Sequence, residues 1–182
     1  MTVRRIVIAI VLSAIAILLG VTRLGYIPVP TAAGNATIMH LPAIIGGIME
    51  GWGVGLIIGL IFGVSSFLNA TVPLFKDPLV AILPRLFIGV VAYFSYVALK
   101  RKNEYMAVGV SAFLGSITNT ILVLGMAALR NYMTWGVAAG VALTNGLPEA
   151  VVAVIITLAV VTAWKQIGKS KKSKISDEEI SQ

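Results

Sequence analysis

Residues 137–164 read VAAGVALTNGLPEAVVAVIITLAVVTAW, and this stretch decides the class of the fold. Glu149 is its single charge. As a helix rising ~1.5 Å per residue it exceeds the ~30 Å of a bilayer's hydrocarbon core. Yet Asn145, Pro148 and Glu149 stand close together inside it, in TNGLPEA, Thr144 to Ala150. Lipid tolerates neither a freed backbone carbonyl nor an ionisable side chain, so such groups face a bundle interior or a cavity.

The rest of the chain shares this character. Of 182 residues, 58 % are hydrophobic and only 12 % charged, with a mean hydropathy of +0.98; a soluble domain keeps about a quarter of its residues charged. Further apolar runs cover 6–24, 36–49, 54–68, 79–99 and 105–129. The predicted fold is therefore an all-α integral membrane protein with six transmembrane helices. A spanning helix needs ~20 residues, so the second and third are short; they are tilted, extended into their flanking turns, or packed inside the bundle.

Charge supplies the orientation. With the N-terminus inside, Arg4, Arg5, Lys100, Arg101, Lys102, Lys165, Lys169, Lys171, Lys172 and Lys174 are cytoplasmic, whereas only Arg23, Lys76 and Arg130 lie outside. Six crossings with both termini cytoplasmic satisfy the positive-inside rule; five or seven break it. The basic residues thus report topology in a cell-membrane protein and form no nucleic-acid-binding face. Arg4 and Arg5 before an apolar run also suit a signal peptide, but the run is longer than a usual signal core and no cleavage site follows. The chain divides into a transmembrane domain, 1–168, and a charged, solvated tail, 169–182, expected to be disordered.

Small residues predict packing. Gly51, Gly55, Gly59 and Gly63 recur every fourth residue, a ridge that lets another backbone approach closely. Ala9, Ser13, Ala16 and Gly20 make a similar stripe on the first helix, which faces either this chain or a partner.

The polar residues gather in the outer half. Asn35, Thr37 and His40 open the second run, Ser65, Ser66 and Asn69 close the third, and Arg85, Asn119 and Thr120, Asn145 and Glu149 follow on the fourth, fifth and sixth. A cavity open to the outside and closed below accounts for that asymmetry. Arg85 and Glu149 either pair with each other or face a ligand; Asn119 and Asn145 either line the cavity or bond between helices.

Several functions have no residues to carry them. No GxxxxGK[ST] loop is present, no His and carboxylate set suggests a metal, and cysteine is absent. No cofactor is expected. An intramembrane hydrolase would have to use His40 with Ser65 or Ser66, without a third group.

The blocks GNATIMHLP (34–42), LPRLFIG (83–89), TNT (118–120) and TNGLPEA, within a likeness running from about Arg5 to Trp164, resemble the substrate-binding S components of energy-coupling factor (ECF) vitamin transporters. The resemblance implies a non-catalytic subunit that captures a vitamin from outside. It would then join a transmembrane coupling protein and two ATPase subunits, which hydrolyse the ATP. Ala9, Ser13 and Ala16 would meet the coupling protein, and the segment from Gly25 to Asn35 would act as an outer gate. Asn35, His40, Asn69, Arg85, Asn119, Asn145 and Glu149 would bind substrate. Pantothenate, with its carboxylate, amide and hydroxyls, matches Arg85 and the asparagines; hydroxymethylpyrimidine would instead use Glu149 and a stacking ring such as Tyr93 or Trp135.

Overall fold

The computed structural model describes the backbone of residues 2–28 and 35–180, and side chains at 2–26 and 37–167. Among the described residues, four segments are long and apolar enough to cross a membrane. The first is α1 (Val3–Val21); the second joins α4 (Pro78–Ala81) to α5 (Leu83–Leu99); the third is α6 (Glu104–Leu129). The fourth runs from α7 (Trp135–Val141) through a π turn (Ala142–Gly146) into α8 (Leu147–Ile180). Between α1 and α4 lie the shorter α2 (Leu41–Glu50) and α3 (Trp52–Leu68).

Helix α2, at ~15 Å, is too short to cross the hydrocarbon core by itself; it follows β2 and carries the chain down to Glu50, at the Arg4 end. Nearly all of its residues are buried, so of the three options left open by its length, the structure takes packing inside the bundle. Gly51, at φ 106°, turns α2 directly into α3. It is therefore a hinge and not the first step of the glycine ridge. The other three ridge glycines face α5. A Cβ on Gly55 would lie 2.8 Å from Gly89 Cα, one on Gly63 would lie 2.9 Å from Ile82 Cα, and one on Gly59 would strike the Arg85 carbonyl oxygen.

The stripe on α1 is likewise internal. Ala9, Ser13 and Ala16 are its buried residues, joined to α2 and α3 in the core, while Ile10, Val11, Leu18 and Val21 face outward. Small side chains here seat α1 on its own bundle, and large apolar ones are exposed.

One element departs from an all-helical reading. Tyr26–Pro28 (β1) and Asn35–Thr37 (β2) form an antiparallel pair, with Tyr26 opposite Thr37. Most of the gate segment, and the Asn35 side chain, lie outside the described residues. The backbone of α8 continues helical to Ile180.

Ion pairs mark the two ends of the bundle. At one, Arg4 Nη2 meets Glu50 Oε1 at 3.0 Å, and Lys165 Nζ bonds Glu104 and, at 2.9 Å, the Tyr96 hydroxyl. At the other, Arg130 Nε meets Asp77 Oδ2 at 2.7 Å. Asn131, at φ 61°, ends α6 in a Schellman turn, with Tyr132 N–H on Ala127 O and Asn131 N–H on Ala128 O. That turn aims Arg130 at Asp77, which also caps α4 by accepting from Leu79 N–H at 3.0 Å.

The Arg130 hydrogen bond holds the Asp77 carboxyl below its ordinary range. A depressed folded value means the pair contributes stability above the unfolded pKa of about 3.9, and that contribution is lost as the pH falls through the folded value. Thermal stability of the full chain in detergent is expected to decline below about pH 4, and Asp77→Asn to flatten that part of the profile. An unchanged acid limb in the variant would assign it to other carboxylates.

Candidate functional site

Two prolines build the site. Pro84, at the second position of α5, has no N–H to offer the carbonyl four residues back, at Val80, and its ring obstructs the helix there. The chain breaks at Ile82, between α4 and α5. Arg85 supplies the missing donor: its Nη1 reaches Val80 O at 2.5 Å. The guanidinium lies over the Phe75 ring at 4.8 Å from the centroid and faces Phe62 at 5.6 Å. A backbone break thus creates an acceptor that pins an arginine within the membrane segment, between two aromatic faces.

Pro148 does the same on the last segment. It cannot bond the carbonyl of Thr144, and the helix widens into a π turn over Ala142–Gly146. The widened turn is tight against α6: a Cβ on Gly146 would lie 2.7 Å from Thr120 Cγ2.

Between these breaks lies a cavity of about 240 Å³, close to the lower end of the ~300–1,000 Å³ typical of small-molecule sites. Five of the seven residues expected to bind substrate line it together: Asn69, Arg85, Asn119, Asn145 and Glu149. Ser65, Ser66 and Thr120 join them. The asymmetric distribution of polar residues along the chain thus corresponds to one space.

Arg85 and Glu149 do not pair with each other. The ion pairs among the described residues are those of Glu50, Arg130 and Lys165 given above, with Arg5 as a second partner of Glu50. Glu149 Oε1 accepts from Thr37 N–H at 2.8 Å and Thr37 Oγ1 at 3.2 Å. Arg85 Nε is buried and has no hydrogen-bond partner, and the same holds for the acceptor Asn119 Oδ1. An unmet buried donor and acceptor on one cavity wall are costly, and a ligand supplying the complementary groups relieves that cost.

His40 is elsewhere. It is 1 % exposed and absent from the cavity lining, with Nε2 3.0 Å from Ser116 Oγ. As the residue before α2, it is carried into the α2–α6 contact, away from Ser65 and Ser66, which line the cavity. The stacking rings are also different ones. Tyr26, Phe62 and Phe75 line the cavity, whereas Tyr93 and Trp135 do not. Phe62 sits three residues after Gly59, on the ridge that meets α5, so helical spacing points to it. Phe75 stands in a 3-10 turn, Pro73–Lys76, where no periodicity marks it.

Comparison with known proteins agrees with this architecture. Residues 4–161 match the family model described as ECF transporter, substrate-specific component. The chain is 35 % identical over 152 residues to the pantothenic acid transporter PanT of Lactococcus lactis subsp. cremoris, covering 70 % of this chain and 76 % of the relative.

Proposed function

The chain belongs to the substrate-specific components of ECF transporters, and from that premise we propose that it captures pantothenate from outside the cell in the cavity around Arg85. The carrying observation is the unpartnered Nε of a buried arginine that, among the described residues, has no carboxylate within ion-pair distance. A cation held this way in a membrane segment is costly until an anion arrives. The carboxylate of pantothenate meets the Arg85 guanidinium, and one of its hydroxyls or its amide N–H donates to the Asn119 side chain. Asn69 and Asn145 line the same space, and the similarity to a relative named for pantothenic acid supports the choice of vitamin. Hydroxymethylpyrimidine fits less well: Oε1 of Glu149 already accepts two bonds from Thr37, and an uncharged ring leaves Arg85 unneutralised.

Both termini and the Arg4–Glu50 and Lys165–Glu104 end lie in the cytoplasm in this reading, and the Asp77–Arg130 end outside, in keeping with the excess of lysine and arginine at the first. A transmembrane coupling protein and two ATPase subunits complete the importer and supply the ATP hydrolysis.

Calorimetry on the purified chain in detergent tests the assignment. Pantothenate is expected to bind, and panthenol, which carries an alcohol in place of the carboxylate, to bind at least about a hundredfold more weakly, the worth of a buried charge-assisted contact. Equal affinity for the two, or tighter binding of hydroxymethylpyrimidine, would overturn the reading.

A further inference from the structure

A second carboxylate in the cavity is a problem for a site that takes an anion, because like charges in a small desolvated space repel. Glu149 has other work. Its Oε1 accepts both the backbone N–H and the hydroxyl of Thr37. Thr37 ends β2 and stands opposite Tyr26 of β1, and both residues line the cavity. On its other side the hairpin is tied to α1 through the backbone: Gly25 N–H bonds Leu19 O at 3.0 Å, and Ile38 N–H bonds Gly25 O at 2.9 Å. The strand pair therefore hangs between the end of α1 and the first turn of α8, and Glu149 makes the α8 attachment. Pro148 and the π turn place that carboxylate at the height of β2, which packs on both α8 and the π turn.

We propose that Glu149 is a positioning residue: it fixes Thr37, and through Thr37 the Tyr26 strand, as the cavity wall between α1 and α8. The consequence for binding rests on the vitamin-capture reading above; the attachment itself does not. Two bonds converging on one carboxyl oxygen in a low-dielectric site are strong ones. A carboxamide at the same position still presents an Oε1 that accepts them, whereas a methyl group does not. The geometry therefore separates a positioning role, which glutamine preserves, from a charge role, which it abolishes.

Amide hydrogen exchange of the full ligand-free chain in detergent, followed on peptides covering residues 35–41, tests the attachment without any ligand. Glu149→Ala is expected to speed exchange at the Thr37 amide by about tenfold or more, and Glu149→Gln to keep it within about threefold of the unaltered chain. Pantothenate affinity and dissociation rate should follow the same order. Thr37→Val, which keeps the N–H and loses the hydroxyl, should cost about threefold in affinity and add nothing further in the Glu149→Ala background. Unchanged Thr37 protection in Glu149→Ala would overturn the proposal. So would Glu149→Gln binding as poorly as Glu149→Ala with Thr37 still protected, since the charge would then act on the ligand directly. If no form bound pantothenate, the vitamin reading would fail while the exchange result still decided the attachment.

Discussion

Arg85→Ala is expected to lower pantothenate affinity by at least about a hundredfold, the value of a buried hydrogen bond to a charged partner together with the desolvated carboxylate it would leave unpaired. The same variant should bind pantothenate and panthenol almost equally, because the group that distinguishes them is gone. Lysine is not expected to restore binding. Its ammonium is a compact charge that cannot lie flat against Phe75 and Phe62, nor donate to Val80 O while offering a second, fixed donor to a ligand. Folding should suffer much less than binding. Loss of the Arg85 side chain leaves Val80 O without its donor, costing ~1–3 kcal/mol, but it also removes a buried charge whose desolvation opposes folding. Parallel calorimetry and thermal unfolding separate the two effects. A variant that still favoured pantothenate over panthenol would show that the carboxylate is read elsewhere.

The sequence reveals the four long spanning segments because lipid imposes a length and a composition that few other environments demand. It reveals the cavity for the complementary reason: Arg85, Asn119, Asn145 and Glu149 are expensive in hydrocarbon, so their shared depth implies a shared space, and all four line it. Other features depend on contacts that one-dimensional pattern does not encode. The stripe of Ala9, Ser13 and Ala16 does not show in the sequence which neighbours it packs on; in the fold it is buried against α2 and α3. His40 is as polar as the cavity residues, yet the entry into α2 turns it toward Ser116. The prolines are the most informative local signal. Pro84 and Pro148 each free a carbonyl in a membrane segment; in one case an arginine answers it, in the other a π turn replaces the regular helix.

The largest loss of stability is expected from Gly89→Ala. A Cβ at Gly89 would lie 2.5 Å from Gly55 Cα and 2.7 Å from Ala43 O. These are backbone atoms of α3 and α2, which no rotamer change can move. The contact is reciprocal, since a Cβ on Gly47 would strike Gly89 O and one on Gly55 would lie 2.9 Å from Gly47 Cα. Three glycines from three helices therefore meet without side chains between them, where close backbone approach replaces the hydrophobic drive that lipid removes. Overpacking a well-filled core costs ~1–3 kcal/mol and more where the neighbours cannot yield, so Gly89→Ala should lose about 3 kcal/mol or more, a fall of roughly 10 °C in melting temperature by the scaling for chains of this size. Gly125→Ala is the matched control. It lies within α6 with nothing in reach of an added Cβ, and alanine there should be neutral or stabilising by up to ~1 kcal/mol. Similar melting temperatures for the two variants would show that the three-glycine junction does not set the helix spacing. If the junction does set it, binding must weaken along with stability in Gly89→Ala, because Arg85 lies one turn earlier on the helix that the new methyl group displaces.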